Sequence, residues 1–390
     1  MRDVSYSREL LDSAFARFLL ICFLCLGNAF AVSPVLEQKS GAKSLRLEIE
    51  GVGVVIAKAP AHEGETEVSQ LLLEKPGGMV KVIATCEGIE FCALYRADLS
   101  GNGEREIVII ARSKTGEDFM PYIYEAKGEL RRIFPKNEED NSIIGKEITL
   151  VVDKNGDALC VKELVNIHDY GPPDLLQSEY YRLQAGKLVK IKESIPEGKH
   201  FNQALNLAGL IFQNGDYLNA LKRYEKVYTD FKDKMPRLAI AETFFYQAES
   251  RKFLKDFSGA ISIYKKIVKE YPESPQAGIA DTESRFLSAN LGVNSTLSLY
   301  MDVSKFLKME KWSEALNMLD CSPTKIASGP MADHLMFLRG EALVSLGKVD
   351  EAIKVYKLIK SLFPNSALIP NIDTNLQELM GNPDESQGTE

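Results

Sequence analysis

Residues 97–111 read ADLSGNGEREIVIIA. Asp98, Ser100 and Asn102 put side-chain oxygens at positions 1, 3 and 5 of a loop, and Glu106 adds a carboxylate at position 9. Gly101 and Gly103 permit the tight backbone such a loop needs. Calcium takes six to eight hard oxygen ligands from flexible segments, and this spacing supplies several from one stretch. An EF-hand needs a glutamate at position 12, where this chain has Ile109, and the residues that follow are strand formers. The competing reading is a glycine-rich turn whose Asp and Asn side chains bond their own backbone. DKNGDA (153–158) lacks the second glycine and the late acid, and reads as an Asn-Gly hairpin turn.

Other chemistry is sparse. The four histidines, His62, His168, His200 and His334, stand in no metal-binding spacing. There is no Gly-x-Ser-x-Gly elbow and no phosphate loop. His168-Asp169, beside Tyr170-Gly171-Pro172-Pro173, reads as a solvated loop histidine. Pairs such as Glu138-Glu139 read as surface charge. The expectation is therefore a protein that is not an enzyme, with an envelope hydrolase kept as the minor alternative.

A net charge of -8 argues against nucleic acid or an anionic membrane as the main partner. A chain of 390 residues, 45% hydrophobic and 26% charged, suffices for two or three domains. Arg17 precedes FLLICFLCLGNAFA, an apolar run too short to span a bilayer comfortably, ending in Ala29-Phe30-Ala31. Residues 1–31 thus read as a signal peptide, with a short membrane anchor as the alternative. The expected location is the periplasm or cell envelope, with no transmembrane span after cleavage. Cys86, Cys92, Cys160 and Cys321 remain in the mature chain. Cys86 and Cys92 flank EGIEF, where a hairpin would let them form a disulfide.

The elements that must position these residues change period midway. Residues 32–192 alternate with period two: SLRLEIE, VGVVIAKA, EIVIIAR, KEITLVVD and ALCVKELV are strands. LLLEKPGGMVKVI (71–83), YIYEAKGELRRI (122–133) and YYRLQAGKLVKI (180–191) repeat one unit of strand, glycine turn and strand. That spacing suits β-blades; three units fit either a partial, propeller-like array or a β-sandwich. Residues 193–199 form a polar linker. From 200 to 380 the period is helical. Three segments share Ala-[Leu/Ile]-x-x-Tyr-x-x-[Val/Ile]: Ala220, Tyr224, Val227; Ala260, Tyr264, Ile267; Ala352, Tyr356, Ile359. A fourth, weaker copy has Ala315 and Leu319. The i, i+4, i+7 spacing puts them on one helix face. Pro272 and Pro364 each stop a helix. The tail, 381–390, is acidic and polar and reads as disordered.

These residues, with small Ala208, Ala248 and Gly340 in the preceding helices, resemble the tetratricopeptide repeat (TPR) family. The alanines at 220, 260, 315 and 352 lie 40, 55 and 37 residues apart, against a family period of about 34. The long gap holds SPQAGIADTESRFLSANLG, expected to be an extra helix. The run YPESPQAGIADTESRF also resembles repeats of periplasmic envelope proteins, such as the TolA-binding coordinator and outer-membrane assembly lipoproteins. The loop at Asp98 resembles that of FG-GAP β-repeats, which implies calcium on Asp98, Ser100, Asn102 and Glu106. Calcium is the one candidate cofactor, and none is required. The TPR resemblance implies an α-solenoid whose groove binds a protein or peptide partner. Its groove positions map to Asn202, Phe212, Gln213, Phe245, Glu249, Lys252, Tyr300, Lys308, Phe337 and Glu341. Phe212, Phe245 and Phe337 read equally as core, and Trp312 as packing. The expectation is a multidomain α and β protein, an all-β repeat domain followed by a TPR-like solenoid, acting as an envelope scaffold. A calcium- or ligand-binding sensor is the alternative.

Overall fold

A computed structural model describes residues 36–37, 44–63, 66–113, 117–136, 143–152 and 156–380. The signal peptide at 1–31, the pair Glu138-Glu139, the start of the Asn-Gly turn at 153–155 and the tail at 381–390 lie outside the described residues. The chain divides into a β unit, up to Leu164 and again over Leu176–Pro196, and a helical unit of Val165–Leu175 and Glu197 onward.

The β unit holds three antiparallel sheets that do not close on one another. The first is β2 (Ser44–Ile49), β3 (Gly53–Glu63), β4 (Thr66–Glu74) and β5 (Val80–Glu87) in sequence order. The second is β6 (Ile89–Ala97), β7 (Glu106–Ser113), β8 (Phe119–Lys127) and β9 (Glu129–Phe134), with β1 (Leu36–Glu37) added beside β6. The third is β10 (Glu147–Val151), β11 (Ala158–Val165), β12 (Leu175–Gln184) and β13 (Lys187–Ser194). The repeated sequence unit is the last hairpin of each sheet: β4–β5, β8–β9 and β12–β13. Gly78, Gly128 and Gly186 take positive φ in those turns, a conformation costly for residues with a Cβ.

EIVIIAR, expected to alternate with period two, is instead buried on nearly every residue, and the middle sheet explains why. Ile107, Ile109 and Ala111 of β7 join a core with Leu45, Val55, Leu71 and Leu73 of the first sheet. Val108 and Ile110 face the other way, into a core with Ile148, Leu150, Leu159 and Val161 of the third. A strand buried on both faces is apolar throughout.

Cys86 and Cys92 do not close a hairpin, which corrects the expectation. Cys86 is on β5 and Cys92 on β6, in different sheets, and no disulfide joins them. The turn at Gly88 hands the chain from one sheet to the next instead of pairing its two flanks.

The helical unit contains α1 (Phe201–Gln213), α2 (Tyr217–Phe231), α3 (Arg237–Phe253), α4 (Phe257–Glu270), α5 (Pro275–Asn290) and α6 (Asn294–Lys308). It continues with α7 (Trp312–Asp320), α8 (Pro323–Ser328), α9 (Ala332–Ser345), α10 (Val349–Leu362) and α11 (Ile369–Met380). The expected extra helix is α5. None is long and apolar enough to cross a membrane among the described residues. The turn before each of α2, α4, α7 and α10 carries one residue at positive φ: Gly215, Lys255, Glu310 and Gly347. Asp216 and Asp256 cap α2 and α4, accepting from the backbone N–H of Asn219 and Gly259. Such caps satisfy the first N–H groups of a helix.

Ala220, Tyr224 and Val227, and their counterparts in α4 and α10, are all buried. Leu319 fills the Tyr position of α7 with no hydroxyl to satisfy. The small residues Ala208, Ala248 and Gly340 sit opposite, and Gly340 lies so close that a Cβ there would be 2.6 Å from Cζ of the Tyr356 ring.

The helical unit is not confined to residues after the linker. Val165–Leu175 belongs to it as well, which the boundaries drawn at 193–199 and 200 omit.

Candidate functional site

A groove of about 880 Å³ opens in the helical unit. Its walls include Phe212, Tyr217, Phe245, Tyr246, Phe253, Phe286 and Tyr300, and its lining also includes Glu249, Lys252, Glu283 and Lys308. These side chains come mainly from α1, α3, α5 and α6, because the repeat pattern buries the Ala-Tyr face of the second helices and leaves first-helix side chains outward.

The charged groups form one network. Lys252 Nζ donates to Glu249 Oε1 at 2.6 Å and to Glu283 Oε2 at 3.0 Å. The Tyr264 hydroxyl donates to Glu249 as well. Lys308 Nζ lies 3.9 Å from Glu249 Oε2. Burial works against the charge on Lys252, but Glu249 and Glu283 outweigh it and hold its pKa above the ordinary lysine value. Lys308 is shifted the other way, downward, chiefly by loss of water around the amine. Burial and then the Glu249 charge push the Tyr264 hydroxyl up. A paired charge cluster of this kind is costly to break from one side, about 3–5 kcal/mol, because the remaining partner stays buried.

Tyr217 and Phe253 stack with centroids 4.4 Å apart. Lys305 Nζ sits 5.1 Å from the centroid of Tyr217, and Lys308 Nζ 4.8 Å from that of Phe253. The lysines thus shield one end of the aromatic wall while keeping their charges at the opening.

Seven of the ten residues expected in the groove line it: Phe212, Gln213, Phe245, Glu249, Lys252, Tyr300 and Lys308. Three do not. Asn202 is buried, and its side-chain amide donates to Gly171 O. Phe337 packs on Tyr356, centroids 5.9 Å apart. Glu341 accepts from the Tyr356 hydroxyl at 2.5 Å and from Asn375 Nδ2 at 2.8 Å. α11 lies over that end through Asn375, which family spacing alone does not reveal. Phe212, at 9% exposure, is as much core as wall. Sequence reasoning does not reach Tyr246, Glu283 and Phe286. The last two ride on α5, which falls outside the repeat, so no spacing rule assigns its face. The Glu283 carboxylate meets Lys252 of α3 across thirty-one residues of chain, a pairing with no local signal.

His168 is not a solvated loop histidine: it is 1% exposed. Its Nε2 shares a hydrogen bond with the Tyr224 hydroxyl at 3.2 Å. Its Nδ1 lies 3.0 Å from Glu242 Oε1, at ion-pair distance but without hydrogen-bond alignment. The Tyr170 hydroxyl donates to Glu242 Oε2 at 2.5 Å. Burial opposes the charge on Glu242, and the contacts to His168 and Tyr170 outweigh it, lowering its pKa.

The loop at Asp98 is folded as a turn. Asp98 accepts from the N–H groups of Asn102 (3.1 Å) and Gly103 (2.9 Å), and Asn102 Oδ1 from that of Glu104 (2.7 Å). Glu106, 7% exposed, accepts from Leu99 N–H and the Ser100 hydroxyl, both at 2.9 Å. No group of three or more His, Cys, Asp or Glu residues placed to hold a metal ion occurs among the described residues. In this arrangement the side-chain oxygens of Asp98, Asn102 and Glu106 accept from N–H and O–H groups of the turn itself.

Comparison with protein families matches the tetratricopeptide repeat at residues 242–274 and 335–366. The helical unit therefore contains TPR repeats, in α3–α4 and α9–α10. No curated protein matches the chain. Among solved structures it is similar to a tetratricopeptide repeat protein from Parabacteroides merdae, at 18% identity and a TM-score of 0.22, covering 47% of this chain and 72% of that one. It is also similar to the TPR2AB-domain:pHSP90 complex of yeast Sti1, at 12% identity and a TM-score of 0.21, covering 47% and 86%. A third is MamA from Desulfovibrio magneticus RS-1, at 15% identity and a TM-score of 0.19, covering 50% and 100%.

Proposed function

We propose that the protein is a non-catalytic scaffold of the cell envelope that holds a segment of a partner protein in the groove of its helical unit. TPR repeats suit protein–protein interaction, and the observation that carries the reading is the groove itself: aromatic walls around a self-paired charge network. Such a surface offers apolar area for affinity and fixed charges for register. The envelope location rests on the export signal read in residues 1–31.

The test uses the full chain as bait in envelope extract, beside a Phe245→Ala/Lys308→Glu variant. Phe245 is only partly buried but packs against the core, and Lys308 lies beside Glu249, so both baits are first matched for circular dichroism and melting temperature. Loss of one well-placed aromatic costs about 2 kcal/mol, roughly 30-fold in Kd. A protein retained by the wild type, lost by the variant and bound directly when purified supports the reading. Equal recovery on both baits sinks it.

A further inference from the structure

In two repeats the buried tyrosine hydroxyl is satisfied in one way. Tyr264 donates to Glu249 and Tyr356 to Glu341, in both cases fifteen residues earlier, directly after the small residue Ala248 or Gly340. In the first repeat the same offset from Tyr224 falls on Gly209, which has no side chain to offer. His168 takes the vacant place. A Cβ on Gly209 would lie 2.7 Å from His168 Nε2 and 2.8 Å from Ile167 Cγ2.

The segment around His168 is held as a peptide is held. Asn206 Oδ1 accepts from Ile167 N–H at 2.6 Å and His168 N–H at 2.9 Å, and its amide donates to His168 O at 3.0 Å. The Asn202 amide donates to Gly171 O. Tyr170 anchors the segment on Glu242 of α3. Most of these bonds read the backbone of a bent segment, with Gly171 at positive φ. Side-chain selection comes from the slot at Gly209, closed by Tyr224 and by the Tyr246 ring, whose centroid is 5.0 Å from that of His168. Ile167 and Gly209 also line the groove, so this subsite is continuous with it.

We propose that the α1–α3 face is a binding subsite for a bent, non-helical segment bearing histidine, and that residues 166–173 occupy it as a displaceable ligand within the same chain. This goes beyond the partner reading and does not depend on it, because the ligand is already in the molecule.

Two full-chain variants test it. Gly209→Glu restores the carboxylate found in the other repeats, so Tyr224 keeps a partner while the slot closes. Hydrogen exchange at Ile167 and His168 is expected to speed up by about 10-fold or more, with α2–α4 still protected. His168→Ala/Tyr170→Ala empties the slot and removes the two side-chain anchors, leaving only the backbone bonds to Asn202 and Asn206. A fluorescent peptide of residues 164–175 is then expected to bind this variant saturably, but not the wild type. It is also not expected to bind the variant with Gly209→Glu added, and a peptide with His168→Ala is not expected to bind. Unchanged exchange in folded Gly209→Glu overturns the proposal. So does a peptide that binds every variant alike or none. If the double variant does not fold, the exchange result in Gly209→Glu decides.

Discussion

Replacing Gly340 by alanine sets two rules against each other. Alanine in a helix interior is favoured over glycine by about 1 kcal/mol, and the corresponding residues of the first two repeats are Ala208 and Ala248. Repeat logic alone therefore predicts a neutral or stabilising change. The structure predicts the reverse. The new methyl would lie 2.6 Å from Cζ of Tyr356, with Cε1 closer still. That ring is fully buried, and its hydroxyl is tied to Glu341 and Asn375 at 2.5 and 3.1 Å. The ring must shift, at an overpacking cost of about 1–3 kcal/mol, and strained hydroxyl bonds add about 1 kcal/mol. Set against the helix gain, the expected net loss is about 2 kcal/mol. For a unit of this size that is a fall in Tm of roughly 4–8 °C. Trp312 is the one tryptophan and lies on α7, so its fluorescence reports on the helical unit alone. An unchanged or raised melting temperature by that probe would refute the packing argument.

Three further outcomes are expected. Asp333 is depressed to about 2, because hydrogen bonds from His334 and Ser366 outweigh the opposing effect of burial. A depressed carboxylate stabilises above its unfolded pKa near 4 and loses that contribution as pH falls toward 2, on the order of 2 kcal/mol; the gap in stability between wild type and Asp333→Asn should close over that window in acid titration. Phe212→Ala should cost about 3–5 kcal/mol, visible as a lower urea midpoint, since Phe212 packs on Tyr217, Tyr246 and Phe253. Millimolar calcium should leave the melting curve of the β unit unmoved, and a rise would show that the Asp98 turn rearranges into a cage.

The period switch from two to helical was legible in the sequence, as were the hairpins at Gly78, Gly128 and Gly186. Both follow from local rules: alternation, turn glycines and one apolar helix face. The α3 groove positions were legible because they ride on the repeat. The three positions that fall elsewhere depend on what covers them, α11 at one end and residues 165–175 at the other. Neither cover has a local signature. A usable hint did exist, in the glycine after Ala208 where Ala248 and Gly340 are followed by glutamate. The Cys86–Cys92 expectation failed because a turn between sheets looks, residue by residue, like a turn within one.

The placement of residues 165–175 has a consequence for how the chain is made. His168 leaves the ribosome 56 residues before Tyr224, and Tyr170 leaves 72 residues before Glu242. At about 5–20 residues per second, the second interval lasts roughly 4–14 seconds. Through it the Tyr170 phenol lacks the Glu242 carboxylate, and for the first 56 residues the imidazole lacks the Tyr224 hydroxyl. The first repeat therefore cannot finish folding from its own two helices as they emerge. It must recapture a piece of chain synthesised earlier, which ties its completion to translation of α3.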